Sequence, residues 1–404
     1  MHTVATALER VLATVAPFPA ESLPLAAVQG LALAENVDSR IDSPPFDKAL
    51  MDGFAVRSAD LPDGAGRLRV VEQITAGQVA ALPVGPGEAI QIMTGAPLPV
   101  GADCVVKIED TRLEGDEVVI AARPLQDGVN ISRQGSAMRS GDRVLAAGVV
   151  LRPPQLAALA ELGWPQVPVR RRPTLAVLAT GDELVPVDQT PGPGQIRNSN
   201  ETMLVAQAAQ SGCASRTLGI ARDVRAELGA KILDGLTADI LVLSGGVSAG
   251  KLDLVPSELT AAGVEEVFHG VAMKPGKPLW FGVRQGDISR NACYVFGLPG
   301  NPVSSMVCFE LFVRSAIRRL MGISPAEPQP VSAVFEGEYT FRGDRPTYHP
   351  ARLTWTAGGP RVALVSWQGS SDLRATVDAN AMACLPAIER TYRTGDVMDV
   401  LSWD

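Results

Sequence analysis

The chain has 404 residues, of which 46% are hydrophobic and 20% charged, and a formal net charge of -8. That length calls for several domains, the composition is that of a globular protein, and the acidic balance excludes the basic footprint of a general nucleic-acid binder while leaving room for a local basic pocket. No apolar run reaches the roughly 18 residues that a spanning helix needs, so no membrane partner is expected.

Val4, Leu8, Val11, Leu12 and Val15 recur at helical spacing, and Glu9 and Arg10 interrupt any leader-like apolar stretch. The segment therefore reads as an amphipathic helix ending near Pro17, and the expected location is cytoplasmic. Leu23-Pro24-Leu25 opens a second apolar stretch that runs to Ala34. The paired prolines of Ser43-Pro44-Pro45-Phe46-Asp47 force extended backbone, where the chain is expected to cross between domains. From Asp52 to Asp142, short apolar runs broken by Gly and Pro predict an all-β module, with strands at Leu68–Val71, Ala89–Met93, Cys104–Ile108 and Val118–Ile120. Gln155–Leu162 reads as a helix ended by Gly163, and Arg170-Arg171-Arg172-Pro173 as a linker.

Between Thr174 and Gly322 the pattern changes to continuous apolar runs alternating with helical periodicity. Thr174–Thr180 and Asp239–Ser244 lack polar alternation, as strands buried on both faces do. Leu218–Ile220 adds a strand, and Val264–Phe268 with Cys293–Phe296 are expected to complete the sheet. Helices are predicted over Asn200–Ser211, capped by Ser199 or Asn200, over Val224–Leu236, and from Asn301 to Gly322 with Asn301 as cap and Pro302 in the first turn. Strand–helix alternation implies a doubly wound, mostly parallel α/β domain. After the Pro-rich stretch Pro325–Pro330, strand-like segments to Asp404 read as a small C-terminal β-domain.

Ligands of open parallel sheets bind beyond the carboxyl ends of the strands, and four motifs fall there. Asp182 and Glu183 follow the first buried strand as adjacent carboxylates, donors suited to a hard cation such as Mg²⁺. Ser244-Gly245-Gly246-Val247-Ser248 offers backbone N–H groups and hydroxyls to an anion, with Asp253 five residues on. Lys274 and Lys277 sit on the stiff frame Met273-Lys274-Pro275-Gly276-Lys277-Pro278. Pro299-Gly300-Asn301-Pro302 opens a helix whose first turn has free N–H groups. The β-module carries Met51-Asp52-Gly53 and Met93-Thr94-Gly95, whose chemistry spacing does not reveal. Three histidines, His2, His269 and His349, have no metalloprotease or hydrolase spacing, and the glycine loops are neither a Walker loop nor a dinucleotide fingerprint. Five scattered cysteines without a C-x-x-C pair read as free thiols in a reducing compartment.

In their order along the chain these phrases resemble the molybdopterin molybdenumtransferase family, the bacterial MoeA and gephyrin E-domain type. The resemblance rests on Pro44-Pro45-Phe46-Asp47, Met51-Asp52-Gly53, Met93-Thr94-Gly95-Ala96-Pro97, Gly101-Ala102-Asp103, Thr180-Gly181-Asp182-Glu183-Leu184, Ser244-Gly245-Gly246-Val247-Ser248, the two-lysine segment and Leu298-Pro299-Gly300-Asn301-Pro302. It implies a multidomain α/β protein. Residues 1–46 and 140–170 would form an elongated N-terminal domain, with a β-module at 47–139 inserted in it. A molybdopterin-binding α/β domain would span 171–324 and a β-domain 325–404. It implies a homodimer that transfers molybdenum from molybdate to adenylylated molybdopterin, releasing AMP, with Mg²⁺ and with a molybdopterin adenylyltransferase as a possible partner.

By the same likeness, Asp182, Glu183 and Asp253 would hold the metal, and Lys274 and Lys277 would neutralise molybdate or phosphate. Ser244, Gly245, Gly246, Ser248, Pro299, Gly300, Asn301 and Pro302 would line the substrate cleft, and Asp52 and Thr94 would enter it from the partner subunit. Three phrases depart from the family's. Ser136 and Ala137 follow Gly135 where an acid is usual, Lys251 replaces an acid in Gly250-Lys251-Leu252-Asp253, and Asn198-Ser199-Asn200 replaces Asp-Ser-Asn. The alternative readings are a divergent, non-catalytic relative that binds the pterin, one that handles tungsten, or the adenylyltransferase itself.

Overall fold

The computed structural model describes residues 1–247, 254–286 and 291–403. It divides into two units: Asn36–Ala146 with Pro154–Pro165, and Met1–Glu35 with Ala147–Pro153 and the chain from Gln166 onward.

The first unit is built on a six-stranded sheet in the order Cys104–Lys107, Gly53–Val56, Glu88–Ile92, Ala65–Ile74, Glu117–Ala121, Thr111–Glu114. Four of these match the runs expected from sequence. Gly53–Val56 and Thr111–Glu114 do not: the former is buried at every position, so it has no alternation to betray it, and the latter is a mostly polar edge. Gly53 is required by close approach, because a Cβ there would lie 1.8 Å from the Val106 carbonyl oxygen. The sheet's two faces bury separate apolar clusters, one around Ala55, Ile90 and Val105, the other around Phe54, Leu68 and Val118.

The second unit holds an α/β sheet in the order Ala214–Ala221, Thr174–Thr180, Ile240–Ser244, Cys293–Leu298, Trp280–Arg284, Glu265–His269. The first four strands are parallel. Trp280–Arg284 was not anticipated. It inserts antiparallel between Cys293–Leu298 and Glu265–His269, which were expected to complete the sheet by themselves. Its short apolar run directly follows the Pro/Gly frame and reads there as the tail of that loop. Ala176, Leu178, Leu241 and Leu243 pack on one face against Leu228, Ile232, Val255 and Leu259 of two helices. The intervening Leu175, Val177 and Val242 are fully buried as well, so both faces are covered.

The linker arginine Arg171 is anchored into this sheet. Its guanidinium forks onto Asp239 at 2.6 and 2.7 Å, and Thr174 donates to the same carboxylate from its N–H and its hydroxyl, each at 2.8 Å. Burial alone would raise the Asp239 pKa, but the bonds from Arg171 and Thr174 outweigh it and hold the carboxyl below its ordinary range.

Two helix starts differ from expectation. Asn198, not Ser199 or Asn200, caps Ser199–Gln210, accepting from the Glu201 N–H at 3.2 Å. Asn301 occupies the cap position before Pro302, but its side chain makes no cap bond and donates instead to Ser370 Oγ at 2.9 Å. That last helix runs from Pro302 to Leu320 through a π turn at Phe309–Val313. Inside the turn, buried Glu310 accepts from Gln207 at 2.7 Å and pairs with Arg314 at 2.6 Å. Beyond the Pro-rich stretch, five strands from Val331 to Ser402 close into a barrel.

Candidate functional site

At the carboxyl end of the parallel strands lies a cavity of about 570 Å³. Thr180, Gly181 and Glu183 wall it from the first loop, Ser244, Gly245 and Gly246 from the second, and Pro299, Gly300, Asn301 and Pro302 from the third. Asn198, Ser199 and Asn200 bring the N-terminus of Ser199–Gln210 to the same space. Apart from the Glu201 N–H, which Asn198 caps, its first-turn N–H groups give that end a positive partial charge suited to an anion.

The loops are tied to one another. Gly245 N–H donates to the Leu298 carbonyl at 3.0 Å, and Ser305 Oγ donates to the Pro299 carbonyl. Asn200 is only 8% exposed, and its Nδ2 donates both to Ser244 Oγ at 2.8 Å and to the Gly300 carbonyl at 2.7 Å. Gly245 has φ +97°, and a Cβ there would come within 2.6 Å of the Thr180 carbonyl oxygen, so only glycine lets the second loop press against the first.

The acidic residues are arranged differently from the expected pair. Glu183 is exposed on the cavity wall. Asp182 is not on that wall: its Oδ1 accepts from the Asp223 backbone N–H at 3.2 Å, and its carbonyl accepts from Arg222 at 2.8 Å. The second acid on the wall is Asp223, which no motif announced. It follows the strand Ala214–Ala221, whose parallel pairing with Thr174–Thr180 sets the two strand ends side by side. Ser248 and Asp253 lie outside the described residues. Among the described residues, no group of three or more His, Cys, Asp or Glu could hold a metal ion. Two carboxylates completed by phosphate and water nonetheless match how Mg²⁺ is commonly bound, so the donor set fits that ion.

The lysines lie apart from this cavity. Pro278 belongs to its wall, whereas Lys274 lines a second cavity of about 930 Å³ formed with the C-terminal barrel, and Lys277 is exposed on neither wall. Backbone bonds from Lys274 N–H to the Pro346 carbonyl and from Tyr348 N–H to the Lys274 carbonyl fix that segment on the barrel.

Within the β-module, Asp52 and Thr94 form a pair. Thr94 donates to Asp52 Oδ1 from its N–H at 2.7 Å and from its hydroxyl at 2.6 Å. The hydroxyl bond, then the backbone bond, holds the exposed Asp52 carboxyl below its ordinary range, so it is an anion at neutral pH. Leu50 and Met51 beside it are each 48% exposed.

All five cysteines are free. Burial pushes the thiols of Cys104, Cys213, Cys293 and Cys384 up to about 12, so none is poised as a nucleophile.

Comparison with known proteins covers nearly the whole chain. Residues 2–163 match the family region described as the MoeA N-terminal region (domain I and II), 176–319 a "probable molybdopterin binding domain", and 332–403 the MoeA C-terminal region (domain IV). A molybdopterin molybdenumtransferase of Staphylococcus aureus strain Mu50 is 34% identical over 406 residues, spanning 98% of this chain and 94% of the relative. One from Staphylococcus epidermidis is 34% identical over 92% of this chain and 88% of its own length. The crystal structure of the molybdopterin biosynthesis moeA protein from Pyrococcus horikoshii OT3 superposes with a TM-score of 0.82 at 27% identity, covering 100% of both chains.

Proposed function

Because the chain belongs to the molybdopterin molybdenumtransferase family, we propose that it transfers molybdenum from molybdate to adenylylated molybdopterin, yielding molybdenum cofactor and AMP. The observation that carries this reading is the convergence of three glycine-bearing loops and a helix N-terminus on one cavity that also presents Glu183 and Asp223.

In this reading the backbone N–H of Gly246, the Ser244 hydroxyl and the uncapped N–H groups in the first turn of Ser199–Gln210 receive the phosphates of the nucleotide end, while the Gly245 N–H, donated to the Leu298 carbonyl, holds the loop in place. Pro299, Gly300, Asn301 and Pro302 shape the adjoining wall, tied to the second loop through Asn200. Glu183 and Asp223, with Asp253, would hold Mg²⁺, and Asp182 positions Asp223 through the latter's backbone. When bound, the ion would lessen the repulsion between the phosphate and molybdate anions. Ser248 would add a donor to the second loop. Lys274 and Lys277 supply positive charge beyond Pro278, where molybdate approaches.

Asp52 and Thr94 act at the cleft of a partner subunit in a homodimer. The exposed Leu50 and Met51 around that anion support a docking role for the surface. No described helix is long and apolar enough to cross a membrane, and a cytoplasmic site of action is part of the same reading. So is the division into domains at 1–46 with 140–170, 47–139, 171–324 and 325–404, as is delivery of substrate by a molybdopterin adenylyltransferase.

The test is AMP release by the purified chain from adenylylated molybdopterin, with molybdate and Mg²⁺ added or omitted. Release that requires molybdate is the expected result. Tight binding without release would overturn the catalytic reading in favour of a pterin-binding relative. Release driven by tungstate but not molybdate would reassign the metal.

A further inference from the structure

We propose that the cavity of the C-terminal barrel is the subsite for the pterin half of the substrate, a planar heteroaromatic ring. This rests on the molybdenumtransferase reading, under which the substrate has two chemically distinct ends. The nucleotide end needs anion donors. The pterin end needs flat apolar surface with a few hydrogen-bonding groups.

The two cavities adjoin. Asn301, on the wall of the phosphate-type cavity, donates to Ser370 Oγ at 2.9 Å, and Val303 N–H donates to the Ser370 carbonyl at 3.1 Å. The preceding residue, Gly369, lines the barrel cavity. A single short segment also serves both, Lys274 lining the barrel cavity and Pro278 the first. One extended ligand can therefore lie across the seam, with its two ends in different surroundings.

The barrel cavity has the surface that a pterin requires. Tyr339, His349 and Trp367 line it and meet edge to face, with ring centroids 5.4 Å apart for Tyr339 and His349 and 5.0 Å apart for His349 and Trp367. Tyr339 and Trp367 are half-buried, so part of each ring is still accessible. His349 is 4% exposed, and its Nδ1 lies 2.9 Å from the Pro350 carbonyl, which can only accept. In the neutral ring Nδ1 thus carries the proton and Nε2 is an acceptor for a ligand N–H. Glu338, on the same wall, has no ion-pair partner among the described residues and suits the amino-pyrimidine edge of a pterin. In molybdopterin the dithiolene lies between pterin and phosphate. This orientation would put it at the seam, beside Lys274, where an incoming oxyanion needs positive charge.

The test uses the full chain with two separate probes, molybdopterin lacking the nucleotide and AMP, each followed by calorimetric titration. Trp367→Leu and Tyr339→Leu remove wall rings, and Gln368→Trp fills the cavity from an exposed rim position without touching the core. Losing one stacking ring is expected to weaken molybdopterin binding by about tenfold or more while AMP binding is unchanged. The unchanged AMP titration also reports that each variant is folded. Molybdopterin affinity equal to the parent's in all three variants would overturn the subsite. Equal loss of both probes in Gln368→Trp would do so too, since the cavity would then not be a separate subsite. A parent chain that binds AMP but not molybdopterin removes the pterin proposal alone. A parent that binds neither removes the functional reading beneath it.

Discussion

Asn200 and Gly300, a hundred residues apart, are joined by a 2.7 Å hydrogen bond from the buried side-chain amide to the loop carbonyl. The same nitrogen holds Ser244 Oγ, so one side chain sets the spacing of two cleft loops. Asn200→Ala removes both bonds and leaves the Gly300 carbonyl without this donor, with an expected loss of about 1–3 kcal/mol in unfolding free energy. Asn200→Asp keeps the shape but faces a carboxylate to that carbonyl, and should weaken AMP binding more than Asn200→Ala does. Calorimetric titration and urea unfolding of both variants measure the two effects, and equal AMP affinity in all three proteins would remove Asn200 from the cleft's construction.

Glu183 is exposed, so replacing its charge should not disturb the core. For Glu183→Gln the expected result is an unfolding midpoint within a degree or two of the parent and AMP release reduced by about 100-fold or more, as when a preorganised electrostatic group is removed. Full turnover in this variant would eliminate the assigned role. Asp223→Asn, read the same way, is expected to fall in the same range.

Asp52 allows a test by complementation. If its carboxylate serves the partner's cleft, Asp52→Asn and Glu183→Gln chains are each inactive alone, but a mixed dimer contains one intact cleft. With random pairing, co-expression should recover about a quarter of parent activity. No recovery in demonstrably mixed dimers would show that both residues act within one chain or that Asp52 has no such part.

The Arg171–Asp239 fork predicts an acid limit to stability. The folded Asp239 carboxyl lies below its unfolded value of about 3.9, so its contribution is present in full above that pH and fades as pH falls through the folded value. Asp239→Asn should cost about 3 kcal/mol at neutral pH by leaving a partly buried guanidinium without its anion. The gap between parent and variant in urea unfolding should narrow below about pH 4. A gap independent of pH would mean the loss is one of packing rather than charge.

The parts of the fold that sequence disclosed are those where burial is continuous or alternates cleanly. Thr174–Thr180 and Ile240–Ser244 show no polar alternation because both faces of the sheet are covered, and Cys293–Leu298 reads the same way. Gly53–Val56 is equally buried but only four residues long, and Trp280–Arg284 merges with the loop before it. The three cleft loops were visible because glycine and proline must stand at particular points of a turn. Asp223 was not, since an isolated acid after a strand has no local signature and reaches the cavity only through the pairing of Ala214–Ala221 with Thr174–Thr180. Asn301 had the sequence of a cap, but its hydrogen-bond partner Ser370 arrives from the far side of the Pro-rich stretch, which local pattern cannot foresee. Lys274 and Lys277, three residues apart in sequence and alike in charge, part company because backbone pairing with Pro346 and Tyr348 fixes only the first against the barrel.

The π turn at Phe309–Val313 acts as a spacer. A regular α-helix advances about 100° per residue, and the wider π turn takes up one residue more than an α turn while leaving the helix before it and the helix after it nearly in phase. Upstream, Val303, Ser304 and Val307 are buried beneath the cleft wall; downstream, Ala316, Ile317 and Leu320 are buried as well. Removing one residue from the turn would convert it to a regular α turn and keep both sets facing the core. The cost would fall inside the turn, where Phe309, Glu310, Leu311, Phe312 and Val313 are all buried and Glu310 holds Gln207 and Arg314. The helix is thus a place where the chain's length can change by one residue with the effect confined to a single turn.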